Sequence, residues 1–250
     1  MKLYKNLNIL SHITHCSNSG KLLIAQLIDP DHISSFDHLS DIANTAVNAG
    51  IDLFFFGGSL ITSTPGFDIV KALKEICNIP IVLFPSSPAH IDQSADAILF
   101  LSLISGRNPE YLIGNHVAAA PILKNSNLEI LPTGYMLIGC GEPTTAQYVS
   151  NTNPIPYNKP EIAAATALAG EMLGLKLMYL DGGSGADKTV SPEMVAQVKS
   201  QIKTPLIVGG GIRTIADARA LHHAGANVLV IGNGAQERPE FISELTALRV

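Results

Sequence analysis

Charge is what this chain has least of. Asp, Glu, Lys and Arg make up 15% of its 250 residues, against roughly 25% in an ordinary soluble domain, while 46% are hydrophobic. A polypeptide so poor in charge keeps strands buried on both faces, or a subunit interface, or both. The formal net charge of −5 removes the electrostatic case for a nucleic-acid partner, because phosphate backbones are gripped by clustered Lys and Arg. Any phosphate site must be local. Cysteine is also sparse: Cys16, Cys77 and Cys140 are far apart and odd in number, which argues against a disulfide framework and for a reducing, cytoplasmic setting. Long apolar runs are missing too. The stretch from Ala97 to Ile104 falls well short of the ~18 residues of a membrane span, and no signal-peptide pattern is visible.

What is present is alternation. Short runs rich in Val, Ile, Leu and Phe recur at Leu22 to Ile28, Asp52 to Phe56, Ile79 to Phe84, Ala97 to Leu103, Leu128 to Leu137, Lys176 to Leu180, Pro205 to Val208 and Asn227 to Ile231. Amphipathic segments separate them, the signature of parallel strands joined by crossover helices. Helix starts are marked at Thr64-Pro65, at Ser191-Pro192, and at Thr214 with Asp217 three residues on, where a cap or first-turn proline belongs. The length suits one closed barrel spanning residues 1–250. The expected fold is therefore a modified (β/α)8 TIM barrel in the α/β class. One crossover is degenerate, because Pro85 to Asp96 holds two prolines and is too short for a helix with its turns. Gly141 to Pro160 carries four prolines and reads as a long loop over the barrel mouth, before a helix from Glu161 to Leu173.

Three strand ends are rich in glycine. The sixth strand runs into Asp181-Gly182-Gly183-Ser184-Gly185, the seventh into Gly209-Gly210-Gly211 and the eighth into Gly232-Asn233-Gly234. Bare backbone N–H groups can approach an anion there, and helix N-termini behind the loops add positive potential, so this side of the mouth suits a phosphate. A single such cluster would be an ordinary tight turn. Beside it, the first strand ends in Ile28-Asp29-Pro30-Asp31 and the second in Phe56-Gly57-Gly58-Ser59. A carboxylate next to a hydroxyl is a hard-oxygen pair of the kind Mg²⁺ prefers, although Asp29 could equally be a turn cap and Ser59 a turn hydroxyl. Asp31, closer to the helix that begins near Phe36, is the expected cap of that helix.

Taken in order, these segments resemble the geranylgeranylglyceryl phosphate synthase family, which also includes heptaprenylglyceryl phosphate synthases. The likeness spans nearly the whole chain. It rests on Leu27 to Asp31, Phe56 to Ser59, Ser105-Gly106-Arg107-Asn108-Pro109-Glu110-Tyr111, Pro132-Thr133-Gly134-Tyr135, Pro154 to Glu161, Tyr179 to Ala186, Gly209 to Arg213 and Ile231 to Asn233. The resemblance implies a barrel lacking the third crossover helix and Mg²⁺ held by Asp29 and Ser59. It implies sn-glycerol 1-phosphate held by Tyr179, Leu180, Asp181, Gly182, Gly183, Ser184, Gly185, Gly210, Gly211, Gly232 and Asn233. The implied reaction joins an allylic isoprenoid diphosphate, expected to be geranylgeranyl diphosphate, to the 3-hydroxyl of that glycerol phosphate, with release of diphosphate. Asp181 would be the general base and Tyr179 an orienting phenol. Two departures stand out: the family usually has glutamate at position 181, and some members carry a lysine where this chain reads Ala25-Gln26-Leu27.

A prenyl tail needs an apolar groove, for which Phe55, Phe56 and Leu103 are candidates, each also an ordinary core residue. Lys188 and Arg213 flank the glycine loops within reach of phosphate or of solvent. His12, His15 and Cys16 read as a helical surface, and His222-His223 as the end of a helix. The rival functions are a phosphosugar isomerase or lyase, and a barrel binding a flavin phosphate. A homo-oligomer, dimer or hexamer, is expected from the low charge content.

Overall fold

The computed structural model describes residues 8–62, 66–232 and 238–249. Thr64-Pro65, Asn233 and Gly234 lie outside them. The strands are β1 (Leu23–Ile28), β2 (Leu53–Phe56), β3 (Ile81–Leu83), β4 (Ala97–Leu103), β5 (Glu129–Gly139), the two-residue β6 (Ile155–Pro156), β7 (Leu177–Asp181), β8 (Leu206–Gly209) and β9 (Val228–Ile231). All pair in parallel. Their order is β4-β3-β2-β1-β9-β8-β7-β5, and β4 also pairs with β5, so eight strands close into a barrel while β6 only extends β5. Every apolar run expected to be a strand is one.

Helices α2 (Phe36–Ala49), α3 (Ile69–Ile76), α4 (Asn115–Lys124), α7 (Pro192–Gln201), α8 (Ile215–His223) and α9 (Pro239–Thr246) follow β1, β2, β4, β7, β8 and β9. The capping signals work as read: the Ser191 hydroxyl accepts from Met194 N at 3.1 Å and that of Thr214 from Asp217 N at 3.1 Å. Between β3 and β4 there is only a single 3₁₀ turn, Pro88–His90. The third crossover helix is missing where the prolines left no room for it. After β5 the reading needs correction. The stretch taken as a loop over the mouth contains α5 (Thr145–Ser150), capped by Thr144, and then β6. The prolines there break the chain into short elements without preventing them. Helix α6 (Pro160–Met172) follows.

Side chains alternate in and out along each strand. On β7, Tyr179 points into the barrel with Leu177, whereas Met178 and Leu180 pack under the helices. This divides the core into a barrel interior and an outer layer between barrel and helices. Among the described residues no helix is long and apolar enough to cross a membrane.

Helix α1 (Ile9–Asn18) contributes Ile9, Ile13 and Cys16, one face at i, i+4 and i+7, to the interior cluster. Cys16 is therefore buried, not on a helical surface; of the three residues only His15 is exposed. The Glu129 carboxylate at the start of β5 accepts from the first-turn amides of Ile9 (2.6 Å) and Leu10 (2.9 Å). Glu129→Ala should orphan both donors and cost about 1–2 kcal/mol, as the loss of a helix cap does. For a chain of this size that is a fall in Tm of roughly 2–8 °C, read by circular dichroism. An unchanged Tm would mean that α1 is held by its apolar face alone.

Candidate functional site

The carboxyl ends of the strands bring the expected residues to one mouth. Asp29 follows β1, with its carboxylate over the backbone of Gly58 beyond β2: a Cβ at Gly58 would lie 3.1 Å from both carboxylate oxygens. Ser59 stands next in the chain and is half-buried. Asp29 is also a cap, of the 3₁₀ turn Pro30–His32, accepting from Asp31 N at 3.1 Å. Burial pushes its pKa above the ordinary carboxylate value, while that amide and nearby His32 act the other way. The expected role of Asp31 is corrected. Ser35 caps α2, and the Asp31 carboxylate instead accepts from the backbone N–H (2.9 Å) and hydroxyl (2.7 Å) of Thr62, tying the loop after β2 to the loop after β1.

Across the mouth, Asp181 ends β7 and is buried at 7% exposure. Its Oδ1 accepts from Gly183 N at 2.7 Å and its Oδ2 from the Tyr135 hydroxyl at 2.5 Å. Burial raises its pKa, and these two hydrogen bonds restrain the rise. Tyr135 and Tyr179 are paired neighbours on β5 and β7. Their rings meet edge to face at 5.4 Å, and Phe84 packs on both at 5.7 and 5.5 Å. Both phenols are pushed well above their ordinary pKa, first by burial and then by Asp181, so both stay protonated as donors. Tyr179 is buried beneath β8, where a Cβ on Gly209 would lie 2.7 Å from its hydroxyl. Leu180 is fully buried in the outer layer, so only its backbone can serve the site.

The glycine loops after β7 and β8 interlock. Gly210 has φ 79°, and a Cβ there would lie 2.6 Å from the Gly183 carbonyl and 3.1 Å from Asp181 Oδ1. The position demands glycine on both counts. Gly185 and Gly232 face the opposite condition: among the described residues no atom lies within 4 Å of a Cβ at either. Gly210→Val should therefore do more than block backbone approach. It should displace the Asp181 loop and, for the ligands that the resemblance implies, lower turnover and glycerol phosphate affinity by on the order of tenfold or more, with a smaller effect on diphosphate binding. Separate titrations of the two substrates check this, and equal weakening of both would make the loop a general support of the fold. Arg213 is committed to structure, donating to the carbonyl of Ala186 at 2.8 Å, and the Lys188 ammonium sits 3.5 Å above the Tyr157 ring.

An apolar groove, partly open to solvent, runs from Gly58, Ser59 and Tyr135 past Phe84 and Leu103 to Phe100, His116 and Ala119. It occupies the gap left by the missing third helix, with α4 as its far wall. Of the three expected lining residues only Leu103 takes part. Phe55 fills the barrel interior and Phe56 packs in the outer layers. Tyr135 was not expected as a site residue, and the expected groove was placed correctly only at Leu103. The signals were there: a tyrosine level with Tyr179 on the next strand, and two prolines where a helix should be.

Comparison with known proteins agrees with this geometry. Residues 21–248 match the model of the PcrB family. The geranylgeranylglyceryl phosphate synthase of Spirosoma linguale is 48% identical over 92% of each chain, and that of Sulfolobus acidocaldarius 39% identical over 96% of this chain and 95% of its own. The crystal structure of (S)-3-O-geranylgeranylglyceryl phosphate synthase from Thermoplasma acidophilum, in complex with its substrate sn-glycerol-1-phosphate, superposes with a TM-score of 0.88 at 30% identity, covering 97% of this chain and 98% of that one. The likeness to these relatives runs along almost the whole length, and the chain belongs to the PcrB family, alongside the geranylgeranylglyceryl phosphate synthases.

Proposed function

We propose that this protein is a prenyltransferase that joins an allylic isoprenoid diphosphate, geranylgeranyl diphosphate by the names of its relatives, to the 3-hydroxyl of sn-glycerol 1-phosphate. The observation that carries the reading is a shared residue. Tyr135 lines the apolar groove and at the same time donates to Asp181 beside the glycine cradle, so an apolar tail and a phosphate-bearing alcohol can meet at one carboxylate. A phosphosugar isomerase or a flavin-phosphate barrel has no use for such a groove.

The backbone amides of the loops from Tyr179 to Gly185, at Gly210-Gly211 and at Gly232 hold the glycerol phosphate, with Asn233, outside the described residues, implied beside them by the resemblance. That handle converts a bimolecular encounter into an oriented one. Asp181 takes the proton of the 3-hydroxyl as its oxygen bonds to C1 of the prenyl chain; the bond from C1 to the diphosphate oxygen breaks, and its electron pair leaves with diphosphate. Tyr179, protonated and buried, orients the acceptor from below.

Asp29 and Ser59 are hard-oxygen donors that fit Mg²⁺. The Asp29 carboxylate lies against the bare backbone of Gly58, beside Ser59. Magnesium needs only one or two carboxylates when substrate phosphates and water supply the rest. Bound there, it would neutralise charge on the departing diphosphate. A homo-oligomer is part of this proposal, supported by Ile113, Val117 and Ile122, exposed around α4.

The test is incubation with Mg²⁺, sn-glycerol 1-phosphate and allylic diphosphates of several lengths, with mass analysis of the lipid. A prenylglyceryl phosphate, and free diphosphate in equal amount, are expected. Consumption of the phosphate substrate without any prenylated product would overturn the assignment.

A further inference from the structure

We infer that Tyr135 is a positioning residue that lets a short aspartate serve as the base: its hydroxyl fixes the Asp181 carboxylate, while its ring forms the wall against which the prenyl chain lies. This rests on the reading of Asp181 as the base and adds the residue on which that base depends.

The geometry is specific. Tyr135 pairs with Tyr179, two residues below Asp181 on the neighbouring strand, a rise of about 6.6 Å. An inward-pointing phenol at that level is long enough to bring its hydroxyl up to the carboxylate, and the contact is made at 2.5 Å. With Oδ1 tied to Gly183 N, each oxygen has one fixed donor, which sets the plane of the carboxylate and leaves the remaining lone pairs for the acceptor hydroxyl. An aspartate has no length to spare, and a displacement of about 1 Å can cost roughly 100-fold. Edge-to-face contacts with Phe84 and Tyr179 hold the Tyr135 ring. Its other face of contact is the groove.

The electrical surroundings are simple. Among the described residues, Asp181 is faced by Tyr135 from β5 and Cys140 just after it, by Tyr179 from β7, and by the glycines at the end of β8, which do not titrate. Cys140 is pushed up to about 12, first by burial and then by Asp181, and stays a neutral thiol. Against burial, which favours the protonated acid, the Tyr135 hydrogen bond is the first restraint.

Tyr135→Phe keeps the ring and the groove wall and removes only the donor. Turnover should fall by roughly 10- to 100-fold while KM for both substrates stays within threefold. The acid limb of the kcat/KM profile should move to higher pH, because a base that is harder to ionise is lost at higher pH. Asp181→Asn is measured alongside. If it is inactive while Tyr135→Phe keeps parental turnover or an unshifted acid limb, the role of Tyr135 is overturned and that of Asp181 stands. If Asp181→Asn is fully active, both fall together.

Discussion

Asp181→Ala should lower turnover by on the order of 10²- to 10⁴-fold, the usual contribution of a positioned general base, while KM for sn-glycerol 1-phosphate stays within threefold. With the phosphate held by the amides and not by this acid, as proposed, affinity and turnover should separate. The variant leaves the buried Tyr135 hydroxyl without its acceptor, a cost of roughly 1–3 kcal/mol that the barrel can bear, and circular dichroism verifies the fold. Near-parental turnover with both substrates saturating would pass the proton to water or another group. Asp181→Glu is the sharper comparison. Tyr135 and Gly183 grip the carboxylate at aspartate length, so the longer side chain should lose activity here even though glutamate is usual in the family. For the parent, activity should fall as pH drops through a pKa raised above the ordinary carboxylate value.

Asp29→Asn should cost at least about 100-fold in kcat/KM, since the amide keeps the cap on Asp31 N but loses the charge that would hold a cation against the diphosphate. Folding should be unaffected. Calorimetric titration with Mg²⁺ in the presence of diphosphate separates the causes: weakened Mg²⁺ uptake is expected, and activity within threefold of the parent would remove Asp29 from the site.

The barrel was legible because parallel strands buried on both faces write themselves as uninterrupted Val, Ile, Leu and Phe runs. The missing helix was legible because prolines and a short spacing forbid one. The glycine loops could be read for a similar reason: Gly210 has a backbone and an environment that no other residue fits. Roles that depend on distance in space were not legible. Asp29 and Asp31 are neighbours in sequence with the same chemistry, and only the approach of Thr62 from the loop after β2 separates a candidate ligand from a loop clamp. Phe55 and Leu103 look alike as apolar strand residues and both pack in the barrel interior, yet only Leu103 also lines the groove. Tyr135 gained its importance from a strand far away in sequence, through a hydrogen bond that no local pattern announces.

The central claim is that the 3-hydroxyl oxygen of the glycerol phosphate, deprotonated at Asp181, attacks the prenyl carbon. It is tested most directly by turnover of sn-glycerol 1-phosphate carrying ¹⁸O in the 3-hydroxyl. The account predicts the label in the ether oxygen of the lipid product and none in the released diphosphate. Label in the diphosphate, or an unlabelled lipid, would contradict it.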